Sequence, residues 1–187
     1  MRLFLAINPP EEVRRETNAA TAALRAAAPE LSWVAEERTH LTLKFLGEQP
    51  DERLDEIQAM LAAVASRHRD LLMTLGGVGA FPNFRRARVV WIGVTPDPRL
   101  ELLHHDLDVA CERLGFAVEG RPFRPHITLA RVKDPLAEDR LRELSRTSKA
   151  TRYRTDFIVR SIDLMKSELT QTGTVYTTLV SAALRSD

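Results

Sequence analysis

Two copies of one tetrapeptide carry the side chains in this sequence that are best suited to acid–base chemistry. They lie at residues 40–43 (HLTL) and 126–129 (HITL), and both have the pattern histidine, aliphatic, threonine, aliphatic. An arginine precedes each copy by two residues, Arg38 in the first and Arg124 in the second. Two such matches would arise by chance in roughly one shuffled chain in 5,000, so the pair indicates an internal repeat.

The geometry of a β-strand gives this pattern a consequence, because successive side chains of a strand point to opposite faces. In a strand, His40 and Thr42 would share one face, and so would His126 and Thr128. The aliphatic residues between them would point into a core. If the two halves of the chain pack as pseudo-twofold lobes, both histidine–threonine pairs converge on one cleft.

Such a cleft suits a tetrahedral phosphate. Neutral histidine accepts a proton and protonated histidine donates one near pH 7, so two histidines can act on opposite sides of a phosphorus atom. Threonine hydroxyls can donate hydrogen bonds to the non-bridging oxygens. An in-line displacement of this kind needs no metal. The alternative is that both histidines are structural, and the matching of two copies argues against it.

The surrounding sequence predicts the elements that must position these motifs. Apolar runs and period-two alternation predict strands over residues 2–7, 33–34, 40–46, 71–81, 89–94, 126–132, 155–165 and 175–184. Apolar residues at helical spacing predict helices over 11–28, 51–67, 100–114 and 137–144. A hairpin at 170–173 would join the last two strands. This order favours an α/β or α+β fold with largely antiparallel sheets, each covered by helices on one face.

Length and composition limit the class of protein. A chain of 187 residues fits one domain, or two small lobes that share a core. No apolar run approaches the roughly 20 residues that span a bilayer, and the N-terminus lacks the features of a signal peptide. The single cysteine, Cys111, excludes an intrachain disulfide framework. We therefore expect a cytoplasmic protein without membrane contact.

The net charge of +1 argues against a protein that coats a polyanion, although a local patch can still hold a short nucleic acid. Seven basic residues form two groups with no acidic residue among them, and the remaining 20 basic residues face 26 acidic ones. These groups predict a basic rim near the second motif that suits one RNA end. They comprise Arg85, Arg86, Arg88, Arg121, Arg124, Arg131 and Lys133.

The repeated motif resembles that of the 2H phosphoesterase superfamily, and the chain is most similar to the bacterial and archaeal RNA 2′,3′-cyclic phosphodiesterases, also called 2′-5′ RNA ligase-like proteins. The similarity covers nearly the whole chain. It includes the opening strand at 2–7, HLTLKFLG at 40–47, the strand at 88–93 and RPFRPHITLAR at 121–131. Lys166, Ser167 and Tyr176 fall where the last hairpin of the family would place them.

The resemblance implies a fold and a reaction. The fold would be α+β and bilobal, a pseudo-twofold duplication forming a single domain over residues 1–187. Two largely antiparallel sheets would face a central groove, with helices packed outside. The reaction would hydrolyse a 2′,3′-cyclic phosphate to a 2′-phosphomonoester without a cofactor or a metal. By the convention of the family, His40 would be the acid that protonates the 3′ leaving oxygen and His126 the base that activates water. Thr42 and Thr128 would hold the phosphate oxygens.

Arg131 is a further candidate phosphate ligand on the basis of the resemblance. In a regular strand Arg131 would share a face with Ile127 and Leu129, away from the site. It could reach a phosphate only if the strand ends or bulges near Ala130. The alternative is a solvated arginine at the end of a strand.

Several residues are candidates for contact with a base or with RNA. Phe81 and Phe84 lie beside a run of arginines that includes Arg88, and aromatic and guanidinium planes together stack unpaired bases. The alternative is a basic loop anchored by one phenylalanine. Phe4 could lie under the ligand or belong to the core. Arg124 and Tyr176 are the remaining candidates.

The expected partners are RNA ends or small cyclic nucleotides, and we expect a monomer. One alternative is ATP-independent 2′-5′ RNA ligation, which is the reverse reaction. Others are a phosphodiesterase acting on another small cyclic phosphate, and a non-catalytic RNA- or nucleotide-binding module. The glycine-rich residues 76–79 lack the Gly-Lys-Ser/Thr of a phosphate-binding loop and indicate a bulged strand instead.

A helix-borne metal hydrolase is the last alternative, because Glu101, His104, His105 and Asp108 cluster on one face of a helix. The helical wheel places that face away from the apolar stripe, so we expect these four residues to face solvent. His68, which ends another helix, is also expected to be solvated.

Overall fold

The computed structural model describes residues 1–171 and 173–186, which form nine β-strands and five α-helices. The strands are β1 (Arg2–Ile7), β2 (Ser32–Trp33), β3 (Leu41–Glu48), β4 (Leu71–Phe81), β5 (Val89–Val94), β6 (His126–Arg131), β7 (Arg154–Val159), β8 (Ser161–Thr170) and β9 (Gly173–Ala183). The helices are α1 (Glu11–Ala20), α2 (Ala22–Ala27), α3 (Leu54–Ala65), α4 (Pro98–Arg113) and α5 (Glu138–Ala150). No helix among the described residues is long and apolar enough to cross a membrane.

The sheet is antiparallel throughout its named strands and has the order β7-β4-β5-β6-β3-β1-β8-β9, with β2 paired to β6. Its two four-stranded halves meet where β3 pairs with β6 through Leu41 and Ile127. Helix α3 packs on β8 and β9 in one half, and α5 packs on β4 in the other. The predicted α+β fold is confirmed, and the two expected sheets are the halves of one continuous sheet.

Most predicted elements differ from the structure by up to three residues at an end, and three differ by more. The helix expected over 11–28 divides at Thr21, whose hydroxyl donates to the carbonyl of Thr17 at 2.8 Å and so competes with the helical hydrogen bonds. The strand expected over 155–165 divides at Arg160, because β7 pairs with β4 whereas β8 pairs with β1 in the other half. Helix α5 continues beyond residue 144 to Ala150, where the buried Ser148 donates to the carbonyl of Val78 at 3.0 Å.

The predicted hairpin near the C-terminus is confirmed by the pairing of β8 with β9, whose last pair is Thr170 with Gly173. Thr172, which belongs to the predicted turn, lies outside the described residues. The bulge expected in the glycine-rich segment is also confirmed. The register of β4 against β5 shifts between Leu75 and Val78, and Gly77 there has φ +72°, a conformation that glycine adopts without steric cost.

Both copies of the tetrapeptide contain a β-bulge at their last residue. In β3, Leu5 pairs with Lys44 while Ala6 pairs with Thr42, so that Leu43 is the extra residue. In β6 the equivalent extra residue is Leu129, because Val90 pairs with Ala130 and Trp91 with Thr128. A bulge reverses the alternation of faces beyond it. The residue five positions after each histidine therefore returns to the face that carries the histidine.

The prediction that the His104 quartet faces solvent was wrong for two of its members. The imidazole of His104 stacks on the ring of Phe123 with 3.8 Å between centroids, and Asp108 forms an ion pair with the buried Lys44. The loop that follows α4 covers this side of the helix and brings Phe123 to it. A helical wheel cannot show such a loop, because it describes only the helix itself.

The prediction that His68 is solvated was also wrong. His68 is buried, and its Nε2 lies 2.9 Å from a carboxylate oxygen of Asp106 on α4. The packing of α3 against α4 brings the end of one helix onto the other.

Candidate active site

The two tetrapeptides lie next to each other where the halves of the sheet meet. Leu41 and Ile127 pair and are fully buried, so the residues on either side of them point to the opposite face. Because the strands are antiparallel, His40 lies across from Thr128, and Thr42 lies across from His126. The expected convergence of two histidine–threonine pairs therefore follows from the register.

Each imidazole is fixed by a backbone carbonyl. Nδ1 of His40 lies 2.7 Å from the carbonyl oxygen of Arg38, and Nδ1 of His126 lies 2.7 Å from that of Arg124. A carbonyl oxygen can only accept, so Nδ1 carries the proton in both rings. In the neutral form of such a ring, Nε2 can then accept a proton. Nε2 of His40 lies 3.1 Å from the hydroxyl oxygen of Thr42, which can donate to it.

Aromatic rings pack against both imidazoles. His40 lies 5.0 Å from Phe4 and 5.1 Å from Tyr176, centroid to centroid, and Tyr176 meets it edge-on at 89°. His126 lies 4.9 Å from Phe81, also edge-on at 84°. Packed rings restrict the orientation of an imidazole, so these contacts hold both histidines in place within the groove.

The environment lowers the pKa of His40 below its ordinary value of 6.5. Burial is the largest cause, because it disfavours the charged imidazolium, and the positive charge of Arg131 acts in the same direction. The hydrogen bond to the carbonyl of Arg38 opposes both. His40 is consequently neutral at pH 7 in the unliganded protein.

A cavity of about 480 Å³ opens beside His40. It is lined by both threonines of the repeat, Thr42 and Thr128, and by three arginines, Arg2, Arg38 and Arg131. No carboxylate belongs to its lining among the described residues. A cavity with cationic groups, hydroxyls and no acid favours an anionic ligand.

Most of the predicted site residues lie at this groove. Phe4 and Tyr176 line the cavity, and so does Arg131. Arg131 was expected to reach the site only if the strand ends or bulges near Ala130, and β6 has such a bulge at Leu129. His126 does not line the cavity itself but lies on the same face of the sheet, packed against Phe81.

The other three candidates lie further from the cavity. Phe84 packs against the main core, in agreement with the alternative of a basic loop anchored by one phenylalanine. Arg88 is exposed at the start of β5, where its carbonyl accepts from the backbone N–H of Val132 at 2.9 Å. Arg124 is exposed and contributes its backbone carbonyl to the orientation of His126.

The groove also contains residues that were not among the sequence candidates, including Arg2, Arg38, Phe45 and Trp91. Arg38 was noted only for its position before the first motif. Phe45 could have been found from the repeat, because it stands five residues after His40 as Arg131 stands five residues after His126. Trp91 lies 6.5 Å from His126 and 5.2 Å from Phe81, and no sequence signal distinguished it from a core residue.

The described residues contain no group of three or more histidine, cysteine, aspartate or glutamate side chains that could hold a metal ion. In particular, the quartet on α4 does not assemble into such a group, because Asp108 bonds to Lys44 and His104 stacks on Phe123.

A curled antiparallel sheet with two histidine–threonine pairs on adjoining strands defines the class of two-histidine phosphoesterases. The family model that describes the 2′-5′ RNA ligase superfamily matches residues 9–171 of the sequence. The chain belongs to this family, and the resemblance identified from its motifs is confirmed.

Relatives and solved structures agree with this assignment. The chain is 32% identical to the RNA 2′,3′-cyclic phosphodiesterase of Methanothermobacter thermautotrophicus over 95% of both chains. It is 33% identical to the enzyme of the same name from Methanocaldococcus jannaschii, over 94% of this chain and 96% of that one. The crystal structure of Escherichia coli LigT complexed with 3′-AMP is similar with a TM-score of 0.76 and 29% identity, over 98% of this chain and 97% of that one.

Proposed function

We propose that the protein hydrolyses RNA 2′,3′-cyclic phosphate ends to 2′-phosphomonoesters, with paired histidines as acid and base and without a metal. The observation that carries this proposal is the pair of imidazoles with carbonyl-bound Nδ1 atoms, set on one face beside two threonine hydroxyls. The names of the relatives from M. thermautotrophicus and M. jannaschii support the same substrate.

In the proposed reaction, Nε2 of His126 accepts a proton from water as the water oxygen attacks phosphorus. The bond from phosphorus to the 3′ oxygen breaks, and that oxygen takes a proton from Nε2 of His40. The products are a 2′-phosphomonoester and a 3′ hydroxyl, and exchange with solvent restores both histidines. Thr42 and Thr128 donate to the non-bridging oxygens, and Arg131 offsets the charge that develops on them.

The acid role requires a proton on His40, which is neutral in the unliganded protein because its pKa is lowered. The negative charge of a bound cyclic phosphate opposes this shift and favours the imidazolium. Binding of the substrate thus favours the protonated form of His40, which the acid role requires.

The first prediction is that His40→Ala and His126→Ala each lower turnover at least about 100-fold, since each removes one positioned proton transfer. Turnover is measured on an RNA oligonucleotide that ends in a 2′,3′-cyclic phosphate, with and without EDTA. His105→Ala is the matched control, because His105 is exposed on α4, and it should retain activity. Full activity in either motif variant, or loss of activity with EDTA, would contradict the proposal.

The same assay, with a 5′-hydroxyl RNA added as an acceptor, separates hydrolysis from ligation and from binding without catalysis. Ligation of a 5′-hydroxyl RNA to the cyclic phosphate in preference to hydrolysis would indicate a 2′-5′ RNA ligase. Tight binding of the oligonucleotide without turnover would indicate a non-catalytic module.

A further inference from the structure

The cavity beside His40 continues well beyond the reacting phosphate. Along the groove face of β1, Ala6 lies beside Thr42, Phe4 follows beside Phe45, and Arg2 comes last. Alternate residues of a strand are about 7 Å apart, so Arg2 lies roughly 14 Å along the strand from the level of Thr42. The cavity thus has an end far from the catalytic threonines.

The middle of the cavity is aromatic. The ring of Phe4 lies 6.2 Å from that of Phe45 and 5.1 Å from that of Tyr176. Phe45 is 64% exposed although it is a large apolar residue, and it lines the cavity. Such a surface accommodates the apolar faces of a nucleoside.

The far end is cationic, like the catalytic end. Arg2 of β1 pairs with Ser167 of the neighbouring strand β8, and both residues line the cavity. The guanidinium of Arg38 reaches the same hairpin, where Nη1 donates to the carbonyl of Thr174 at 2.9 Å. A guanidinium has five donors, so this bond leaves Arg38 with donors for a ligand.

The positive charge of Arg2 is not neutralised by an ion pair with a neighbouring carboxylate of the described residues. Its register partner in β3 is Glu48, whose carboxylate is 3.7 Å from the N-terminal ammonium group. Among the described residues, no ion pair joins a carboxylate to Arg2 or to Arg38. Both arginines line the cavity together with Ser167, and guanidinium groups and hydroxyls are suitable donors for a second phosphate.

We infer that this far end, formed by Arg2, Arg38 and Ser167, binds the phosphate on the 5′ oxygen of the nucleotide whose cyclic phosphate is cleaved. The inference rests on the proposed function, since it takes the catalytic end as the site of the cyclic phosphate. The two phosphates of one nucleotide are closer together than roughly 14 Å, so the long side chains of Arg2 and Arg38 would hold the second phosphate by reaching back along the cavity from its far end. The aromatic middle would then lie beside the nucleoside. The site therefore selects an RNA chain end, or a 5′-phosphorylated cyclic nucleotide, over a cyclic nucleotide with a free 5′ hydroxyl.

Two substrates that differ only in the 5′ phosphate test this inference. We expect kcat/KM for 5′-phosphoadenosine 2′,3′-cyclic phosphate to exceed that for adenosine 2′,3′-cyclic phosphate by at least about tenfold, as charge-assisted hydrogen bonds to phosphate are strong. Arg2→Gln and Arg38→Gln should each lower this ratio, and the double variant should bring it near one. Equal kcat/KM values in the wild-type protein would overturn the inference and leave the proposed function intact.

Matched arginine variants serve as controls. Arg131→Gln should lower kcat/KM for both substrates and preserve their ratio, because Arg131 is proposed to act at the reacting phosphate. Arg154→Gln changes an exposed arginine on the edge strand β7, and it should alter neither the activity nor the ratio. A ratio that falls equally in Arg154→Gln would mean that general charge, and not this site, causes the preference.

Calorimetric binding of the products keeps the test independent of turnover. Adenosine 2′,5′-bisphosphate should bind at least about tenfold more tightly than adenosine 2′-phosphate, and the Arg2 and Arg38 double variant should lose the difference. If neither substrate is hydrolysed, the proposed function fails, and this binding ratio alone then decides whether the second phosphate site exists. Equal affinities for the two products would overturn it.

Discussion

At both histidines, a backbone carbonyl two residues upstream determines which ring nitrogen is free. The arginines at these positions, Arg38 and Arg124, were noted in the sequence because each precedes a copy of the motif by two residues. In the structure, the two arginines make the same contact through the backbone: the carbonyl oxygen of each lies 2.7 Å from Nδ1 of the histidine two residues later. Any residue with the same backbone conformation can supply this bond, so the bond itself does not require an arginine side chain. The side chain of Arg38 also lines the cavity, and the role predicted for that of Arg124 in RNA contact stays a prediction.

The second prediction concerns the titration of His40. Its pKa should lie below 6.5 in the unliganded protein, chiefly because the imidazole is buried, and should rise when inorganic phosphate binds beside it. NMR of the imidazole carbon and nitrogen nuclei across pH 4–9, with and without phosphate, measures both values. Arg131→Gln should raise the pKa of His40 in the unliganded protein, because it removes a nearby positive charge.

The same shift has a consequence for stability with a definite sign. The unfolded chain binds a proton at His40 more readily than the folded protein does, since the folded pKa is the lower one. His40 therefore contributes its full stability above pH 6.5, and this contribution is lost as the pH falls through the folded pKa. A pKa of His40 at or above 6.5 without ligand would contradict this description of the site.

At the scale of the elements, the two β-bulges explain why strict alternation of strand residues assigned Arg131 and Phe45 to the wrong face of the sheet. Strict alternation places Arg131 on the core face, and only the family resemblance suggested otherwise; the bulge at Leu129 resolves this conflict. The same reasoning places Phe45 in the core, although it is 64% exposed at the cavity. Glycines indicated the bulge near Gly77, but the extra residues Leu43 and Leu129 are ordinary aliphatic residues of a strand, and nothing in their residue type marks a bulge.

Packing between elements that are distant in sequence was the other feature that could not be predicted from the sequence. Lys44 is buried, forms an ion pair with Asp108 and donates to the carbonyl of Ala117 at 2.8 Å. These bonds join β3 to α4 and to the loop that leads towards the second motif. Periodicity identified β3 and α4 separately, but it contains no information on which polar residue of one element meets which residue of the other.

The third prediction concerns strands β4 and β5, which hold the aromatic rings beside His126. A Cβ atom on Gly79 would lie 2.2 Å from the indole of Trp91, so Gly79→Ala must displace that ring. We expect a loss of about 1–3 kcal/mol in the free energy of unfolding. We also expect turnover to fall at least about tenfold, because small displacements of a catalytic group are costly. Urea denaturation and kcat on the cyclic-phosphate oligonucleotide measure the two effects.

Gly77→Ala, two residues away in the same strand, separates catalysis from stability. Gly77 has φ +72°, and no heavy atom lies within 4 Å of the place that a Cβ atom would take there. Alanine at this position therefore costs about 1 kcal/mol of backbone strain without touching an aromatic ring. Its turnover should equal that of the wild-type protein at temperatures where both are folded. If Gly77→Ala and Gly79→Ala lose turnover equally, the position of Trp91 does not matter to the reaction.

At the scale of the whole molecule, folding assembles a positive site from arginines that are far apart in sequence. Composition pointed to a basic rim near the second motif, and Arg131 belongs to both that rim and the cavity. Arg2 and Arg38 join it only because β1 and the segment before β3 lie in the half of the sheet that meets β6. A count of charges along the chain could not reveal this, since the net charge is +1.

The final prediction follows from the small size of this site relative to the molecule. If the protein contacts two phosphates of an RNA end, the logarithm of kcat/KM should fall with the logarithm of salt concentration with a slope of about −1.4, from about −0.7 per phosphate of a single strand. For a six-nucleotide RNA with a 2′,3′-cyclic phosphate, this is roughly a sevenfold decrease between 50 and 200 mM salt. A slope steeper than about −4 would require six or more phosphate contacts and would mean that the exposed arginines of the rim bind the RNA chain as well. A slope near zero would show that the arginines of the cavity contribute no net charge attraction. The double variant Arg2→Gln, Arg38→Gln should make the slope shallower by about 0.7 for the RNA, because it removes both guanidinium groups that are inferred to hold the second phosphate.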